Sequence, residues 1–426
     1  MTQKYTLDNG MRVVLNSMPY MKSVSIGIFI KSGSVYESEH NNGIAHFIEH
    51  MLFKGTTNRT ALKISEETDE LGGTLNAYTA EECTCLYIKV LAEDTLHALD
   101  LLFDIALNPV FEAEAIENEK KVILEEISGA EDNPEDAAQE MLMSNMFKCH
   151  PVGMPVLGSE KNVLSFNRDA LIEFYRKHYI PENMVVSVAG CFDETKIIDI
   201  IREKTKSLEK STFIYHEPTV PAVISGGVYR CERDIGQLQL VAGYPCASRF
   251  DESLYAFILL SGILSGDSSS RLFRRLREEN GLVYNVDASA MEYASTGAFV
   301  LSTGFSAENA DKVISIMRSE INDILQNGVT QAELARTKRN IIAAFELESE
   351  STMSVMSIWG KRMLYGIELD NSDIKDKYMR VTVDDVKQAA ISAFADKAKE
   401  AVAVVGDCGK TENFSIIGEI NHGKGA

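Results

Sequence analysis

Histidine is scarce in this chain, eight residues in 426, and tryptophan occurs once. Any clustering of histidine therefore carries information. Cationic side chains are in deficit: 42 Lys and Arg against 63 Asp and Glu leave a formal net charge of -21. That balance argues against nucleic acid and against an anionic membrane surface as partners, because both attract cationic proteins. It suits cationic peptides, although surplus acidic charge also serves solubility alone. Long apolar runs are missing; nothing approaches the roughly 20 residues a helix needs to cross a bilayer. The N-terminus, Met1-Thr2-Gln3-Lys4-Tyr5-Thr6-Leu7, has neither a basic region nor an apolar core. We therefore expect no signal peptide, no membrane association and a cytoplasmic location. The seven cysteines are odd in number, scattered and without a C-x-x-C pair. This excludes a disulfide framework and a thiolate zinc site, and fits reduced thiols in a cytosol.

What is present is an ordinary globular composition, 45% hydrophobic and 25% charged. At this length one core is not enough, so two domains are expected. The segment from Ser211 to Pro221 has two prolines and little periodicity, and marks a boundary. The expected division is residues 1–212, a linker at 213–224, residues 225–417 and a tail at 418–426. The two halves repeat a pattern. Each has an apolar strand, a turn, an apolar helix, further strand, then two helices. In the first half these include a strand from Val24 to Lys31, the helix around His46 and strand from Leu75 to Val90; in the second, strands from Gln237 to Tyr244 and from Gly297 to Thr303. Strands and helices alternate irregularly, with hairpin-like pairs. The expected class is α+β: two homologous α/β sandwich domains, each a mixed sheet packed against helices.

Two of the eight histidines fall together as His46-Phe47-Ile48-Glu49-His50, inside an apolar stretch. This is the H-x-x-E-H pattern, the inverse of the commoner zinc-protease signature. Four residues are about one helical turn, so His46 and His50 can reach one metal ion, and Glu49 can face a metal-bound water and take its proton. The bland reading, two incidental histidines in a buried helix, leaves two polar rings seeking partners. A catalytic zinc needs a third protein ligand. The run from Ala113 to Ile127 reads as a long helix in which Glu119 and Glu126, two turns apart, share a face. Val122 and Ile123 lie between them, so that face should point inward. A solvated acidic face would explain Glu114, Glu117 and Glu125, and fits Glu119 and Glu126 less well. The second half has no equivalent, since no histidine occurs between His216 and His422.

The segment from Asn42 to Thr56, with Glu119 and the downstream Leu124-Glu125-Glu126-Ile127, resembles the M16 (pitrilysin/insulinase) zinc metallopeptidases, and the chain length is similar to the M16B subgroup of mitochondrial-processing-peptidase relatives. The resemblance implies one zinc per chain on His46, His50 and Glu126, with Glu49 as general base and Glu119 supporting the site. It implies that Arg277 and Tyr284, within the run from Ser268 to Tyr284, act on the substrate carbonyl. It implies that the strand carrying Asn76 and Ala77 pairs with an extended substrate. It also implies that acidic residues beyond the third ligand, here Asp136 and Glu140, hold an arginine of the substrate. The expected function is a zinc-dependent endopeptidase acting on unfolded peptides or extended targeting-like segments. A chain of this length is expected to form a homodimer, or else a heterodimer with an inactive homologue. The alternative function is a non-catalytic peptide-binding or assembly subunit; such chains lose residues of the metal motif, and here all four are present.

Overall fold

The strands form where β-branched and small apolar residues run together. The computed structural model describes residues 2–210, 222–411 and 413–417; most of the expected linker and the whole expected tail lie outside them. Six strands make the first sheet: β1 (Thr2–Thr6), β2 (Arg12–Ser17), β3 (Ser23–Ile30), β4 (Thr74–Thr79), β5 (Thr84–Leu91) and β6 (Met184–Gly190). Their order is β1-β2-β6-β3-β5-β4, with β2 and β6 parallel and every other pair antiparallel. The second sheet has β7 (Gly227–Glu232), β8 (Gln237–Pro245), β9 (Val283–Glu292), β10 (Gly297–Ser306) and β11 (Ala401–Gly406). Its order is β7-β11-β8-β10-β9, with β7 and β11 as the parallel pair. Apart from β1, the two sheets have one topology, the internal repeat expected from the sequence.

Every residue of β6 is buried, and β3 is buried from Val24 to Ile30. A strand like this needs cover on both faces. One face carries Val13, Leu15, Val24, Ile26, Ile28, Val186 and Val188 into the main core of the first unit, with the helices α1 (Ile44–Leu52), α2 (Ala61–Leu71), α3 (Thr95–Leu107) and the first turns of α4 (Ala113–Asp132). The other face carries Val14, Phe29, Val185 and Ala189, and is covered by the helix Thr352–Tyr365 through Met356, Trp359 and Leu364. Ser187 Oγ donates to the Met356 carbonyl at 2.7 Å, and Arg12 Nη1 donates to the Met363 carbonyl at 2.5 Å. Gly27 permits the close approach: a Cβ there would lie 2.3 Å from Met356 Sδ. The second sheet does the same with α5 (Pro134–Met146), where a Cβ on Gly243 would lie 2.7 Å from Met146 Sδ.

The compact units are therefore not the contiguous spans 1–212 and 225–417. The first comprises residues through Ile127, those from Met154 to the linker, and Ala344–Leu369. The second comprises Ser128–Gly153, the residues from the linker to Ala343, and those from Asp370 onward. Each sheet takes one covering helix from the other half of the chain. A second departure concerns the strand expected from Leu75 to Val90. It is the hairpin β4–β5, closed by a bond from the Ala80 N–H to the Cys83 carbonyl at 2.8 Å. The residues flanking Glu81 and Glu82 carry no turn signal. Among the described residues no helix is long and apolar enough to cross a membrane.

Candidate metal centre

The first unit brings His46, His50 and Glu126 together. α1 buries Ile44, Ala45, His46, Phe47, Ile48, Met51 and Leu52; it packs beside β4, and Glu126 of α4 reaches its two histidines. His46 Nε2 lies 3.7 Å from Glu126 Oε2, and His50 Nε2 lies 3.4 Å from the same oxygen. One ligand atom from each of the three residues falls within 4.8 Å of the others. Metal–ligand bonds of about 2.0–2.2 Å in a tetrahedron put ligand atoms about 3.3–3.6 Å apart. The donor set and its spacing fit zinc.

The protonation pattern also fits. Burial, then the charge of His50, push the His46 imidazole down to about 3, so its ring is neutral near pH 7. Burial lowers His50 as well, but a hydrogen bond and charge from Glu119, then the charges of Glu126 and Glu49, outweigh it and hold His50 above its usual value. His50 Nδ1–H donates to Glu119 Oε1 at 2.8 Å, which leaves Nε2 directed at Glu126. A cation competes there with the Nε2 proton. Glu119 is buried, and its other oxygen accepts from Lys54 Nζ at 2.6 Å. Burial alone would raise Glu119; the bonds from His50 and Lys54 win and lower it. This carboxylate–histidine pairing fixes ring orientation and tautomer.

Glu49 sits between the two histidines on α1 and is partly buried. Its Oε2 accepts from Thr79 Oγ1 at 2.5 Å. Burial raises its carboxyl above the usual range, offset in part by Thr79 and His50. Thr79 ends β4, which among the described residues pairs only with β5 and so has a free edge. Asn76 is exposed and Ala77 half-buried on that strand, opposite Tyr87 and Leu86.

Some expectations need correction or remain separate. Ile123 is fully buried, but Val122 is 50% exposed; the face of α4 that bears Glu119 and Glu126 turns outward along one edge. Lys54 and Thr79 were missed, although both lie inside motif segments; their roles depend on partners far away in sequence. Arg277 and Tyr284 belong to the second unit and touch each other. Arg277 lies on the π-helical turn Arg274–Glu278, its guanidinium 4.9 Å from both the Phe273 and Tyr284 rings, and Tyr284 is 83% exposed. Asp136 and Glu140 lie one turn apart on exposed positions of α5, in the same unit. α5 starts at Pro134, with Asn133 as its cap. Asp136 accepts from Asn133 Nδ2 at 2.7 Å, while desolvation by the surrounding protein and the like charge of Glu131 push Glu140 up.

The model of the insulinase family, peptidase family M16, matches residues 12–160, and that of the peptidase M16 inactive domain matches residues 165–341. The chain belongs to peptidase family M16. A protein of Rickettsia bellii described as an uncharacterized zinc protease is 36% identical over 401 residues, 93% of this chain and 96% of that one. The Bacillus subtilis zinc protease YmxG, also described as uncharacterized, is 33% identical over 405 residues, with the same coverage of both chains. The fold agrees with M16 structures. A protease from Helicobacter pylori superposes with a TM-score of 0.88 at 20% identity, over 95% of this chain and 99% of that one. A protein from Pseudomonas fluorescens described as a peptidase M16 inactive domain gives 0.87 at 21%, over 95% and 98%. The first M16 model spans His46, His50 and Glu126, and the inactive-domain model spans Arg277 and Tyr284.

Proposed function

We propose that this protein is a zinc-dependent endopeptidase acting on unfolded peptides or extended segments, with one zinc per chain. The observation that carries the reading is the meeting of His46 Nε2, His50 Nε2 and Glu126 Oε2 beside a Glu49 held by Thr79. A zinc ion bound by those three atoms would supply a Lewis acid for the scissile carbonyl and lower the pKa of a nucleophilic water. Glu49, raised by burial, accepts the proton of that water and returns it to the leaving amine. Thr79 occupies one Glu49 oxygen and leaves the other for proton transfer. The free edge of β4 at Asn76 and Ala77 pairs with the substrate backbone, which selects extended chains rather than a residue type. We assign to Arg277 and Tyr284 a share in stabilising the substrate oxyanion, and to Asp136 and Glu140 the recognition of a substrate arginine. The working assembly is a homodimer; a heterodimer with an inactive homologue is the other arrangement, which light scattering on the pure protein distinguishes.

The test is metal analysis joined to a digest of mixed peptides read by mass spectrometry. Wild type should hold one zinc, lose cleavage with a chelator and regain it with zinc. His50→Ala should lose the metal. A zinc-loaded wild type that cuts nothing would favour the non-catalytic subunit, and a His50→Ala variant with a full equivalent of zinc would refute the ligand assignment.

A further inference from the structure

The two histidines of the metal centre are held in different ways. His50 is oriented by its own bond to Glu119. His46 Nδ1 is buried and no described group bonds it. The aim of the His46 ring therefore depends on where the backbone of α1 is placed. α1 also starts without a cap of its own. Its N-cap residue is Gly43, in the left-handed region at φ 95°, with no side chain to receive the first N–H groups.

The missing cap comes from outside the helix. Glu37 Oε2 accepts from the Gly43 N–H at 2.8 Å and from Asn42 Nδ2 at 2.8 Å, and its Oε1 accepts from the Ala45 N–H at 2.8 Å. Ala45 is the residue before His46. The same Asn42 amide donates to the Pro155 carbonyl at 2.8 Å, and Asn162 Nδ2 donates to the carbonyls of Glu39 and Asn42 at 3.0 and 3.1 Å. Beneath this seat two glycines touch: a Cβ on Gly43 would lie 2.7 Å from Gly158 Cα, and a Cβ on Gly158 would lie 2.5 Å from the Asn42 carbonyl oxygen. Enclosing a carboxylate here is costly; burial pushes the Glu37 carboxyl up to about 7 although Ala45, Gly43 and Asn42 all donate to it. A negative group at this end also complements the helix dipole.

We propose that Glu37 is a positioning residue for metal binding: its carboxylate seats the start of α1, and through that seat it aims His46 at the metal. Glu119 does for His50 directly what Glu37 does for His46 through the backbone. The inference rests on the zinc reading above. Glutamine at position 37 has one acceptor and one NH₂, so it must turn the NH₂ toward either the Ala45 N–H or the Gly43 and Asn42 donors.

The experiment titrates apo protein with Zn²⁺ against a chromophoric chelator and records the visible spectrum of the Co²⁺ form. Four proteins are compared: wild type, Glu37→Gln, Asn42→Ala, and the control Val188→Ala, which opens a cavity in the core of the same unit from β6 and leaves every bond of the α1 seat in place. Glu37→Gln should bind Zn²⁺ roughly 10- to 100-fold more weakly, the usual range for loss of a supporting group, and its Co²⁺ bands should shift. Asn42→Ala, which keeps both helix bonds, should fall near the weaker end of that range and serves if Glu37→Gln does not fold. Val188→Ala should melt at lower temperature with wild-type Zn²⁺ affinity and spectrum. Unchanged affinity and bands in Glu37→Gln, or equal losses in the control, would overturn the inference while leaving the zinc reading intact. A wild type that binds no Zn²⁺ would overturn both.

Discussion

Replacing Glu119 by glutamine keeps the shape of the side chain and removes one acceptor and one charge. The carboxylate is 3% exposed and uses both oxygens, one toward His50 Nδ1 at 2.8 Å and one toward Lys54 Nζ at 2.6 Å. A glutamine side chain satisfies only one of them. With its oxygen on His50, its NH₂ confronts the Lys54 ammonium. With its oxygen on Lys54, its NH₂ confronts His50 Nδ1–H and favours the tautomer that carries the proton on Nε2, where the metal belongs. Either way one charge-assisted bond is lost, a change of about 1.5–3 kcal/mol. Loss of a partner to a ligand histidine typically weakens metal binding roughly 10- to 100-fold, which converts to about 1.4–2.7 kcal/mol. The two routes overlap. The assay is competition for Zn²⁺ between apo protein and a chelator near neutral pH, followed by turnover at saturating Zn²⁺. If, as proposed, Glu119 orients a ligand and is not one, the affinity should fall within that range and most turnover should return with excess metal. Wild-type affinity in Glu119→Gln would refute the argument, and a loss as deep as that of His50→Ala would make Glu119 itself a ligand.

Four further outcomes are expected. Glu49→Gln should keep its zinc and lose turnover by roughly 10²–10⁴-fold, as removal of a general base does; a metal-replete variant with wild-type rates would remove Glu49 from that role. Gly360→Ala should destabilise the protein by about 1–3 kcal/mol in urea melts, because its Cβ would lie 2.1 Å from the ring of fully buried Phe29; an unshifted midpoint would contradict the packing of the helix Thr352–Tyr365. Burial holds His178 down at about 4, below its ordinary 6.5, so the unfolded chain binds more protons between those values and stability is lost as pH falls from 6.5 toward 4; His178→Gln should flatten that part of the profile, which spans up to about 3 kcal/mol. If Asp136 and Glu140 hold an arginine, a peptide with arginine just before the cut should outcompete its norleucine twin, less so in salt and in Asp136→Ala or Glu140→Ala; equal kcat/KM for the two peptides would leave the cluster as surface charge.

The parts of the site legible in the sequence are those that helical spacing alone brings together. His46, Glu49 and His50 share one short helix, and Glu119 and Glu126 are two turns apart on another, so periodicity supplies their relative placement. Periodicity does not say which edge of a helix is sealed. Glu119 and Glu126 are compatible with either Val122 or Ile123 facing the core, and the fold buries Ile123 and opens Val122. Nor does it name partners across the fold. Lys54, Thr79 and Glu37 carry no signature of their own; Lys54 meets Glu119 and Thr79 meets Glu49 only through the fold, and Glu37 meets the Gly43 and Ala45 N–H groups only because the chain turns back between them.

The exchange of covering helices was hidden for a related reason. An amphipathic helix declares that it has an apolar face, and not which sheet that face will meet. The strands do hold part of the answer. β3 and β8 are buried over most of their length and each carries an interior glycine, Gly27 or Gly243, where a Cβ would run into the covering helix. Glycine weakens a strand unless something must approach it. A buried strand with a glycine in its middle therefore announces a second layer, without saying which helix supplies it. That layer comes from the far half of the chain: Met356 and Gly360 against the first sheet, Leu142 and Met146 against the second. It follows that neither span, 1–212 nor 225–417, contains a complete sandwich. Expressed alone, each would expose one apolar face of its sheet, and each should recover solubility only when the missing helix is supplied.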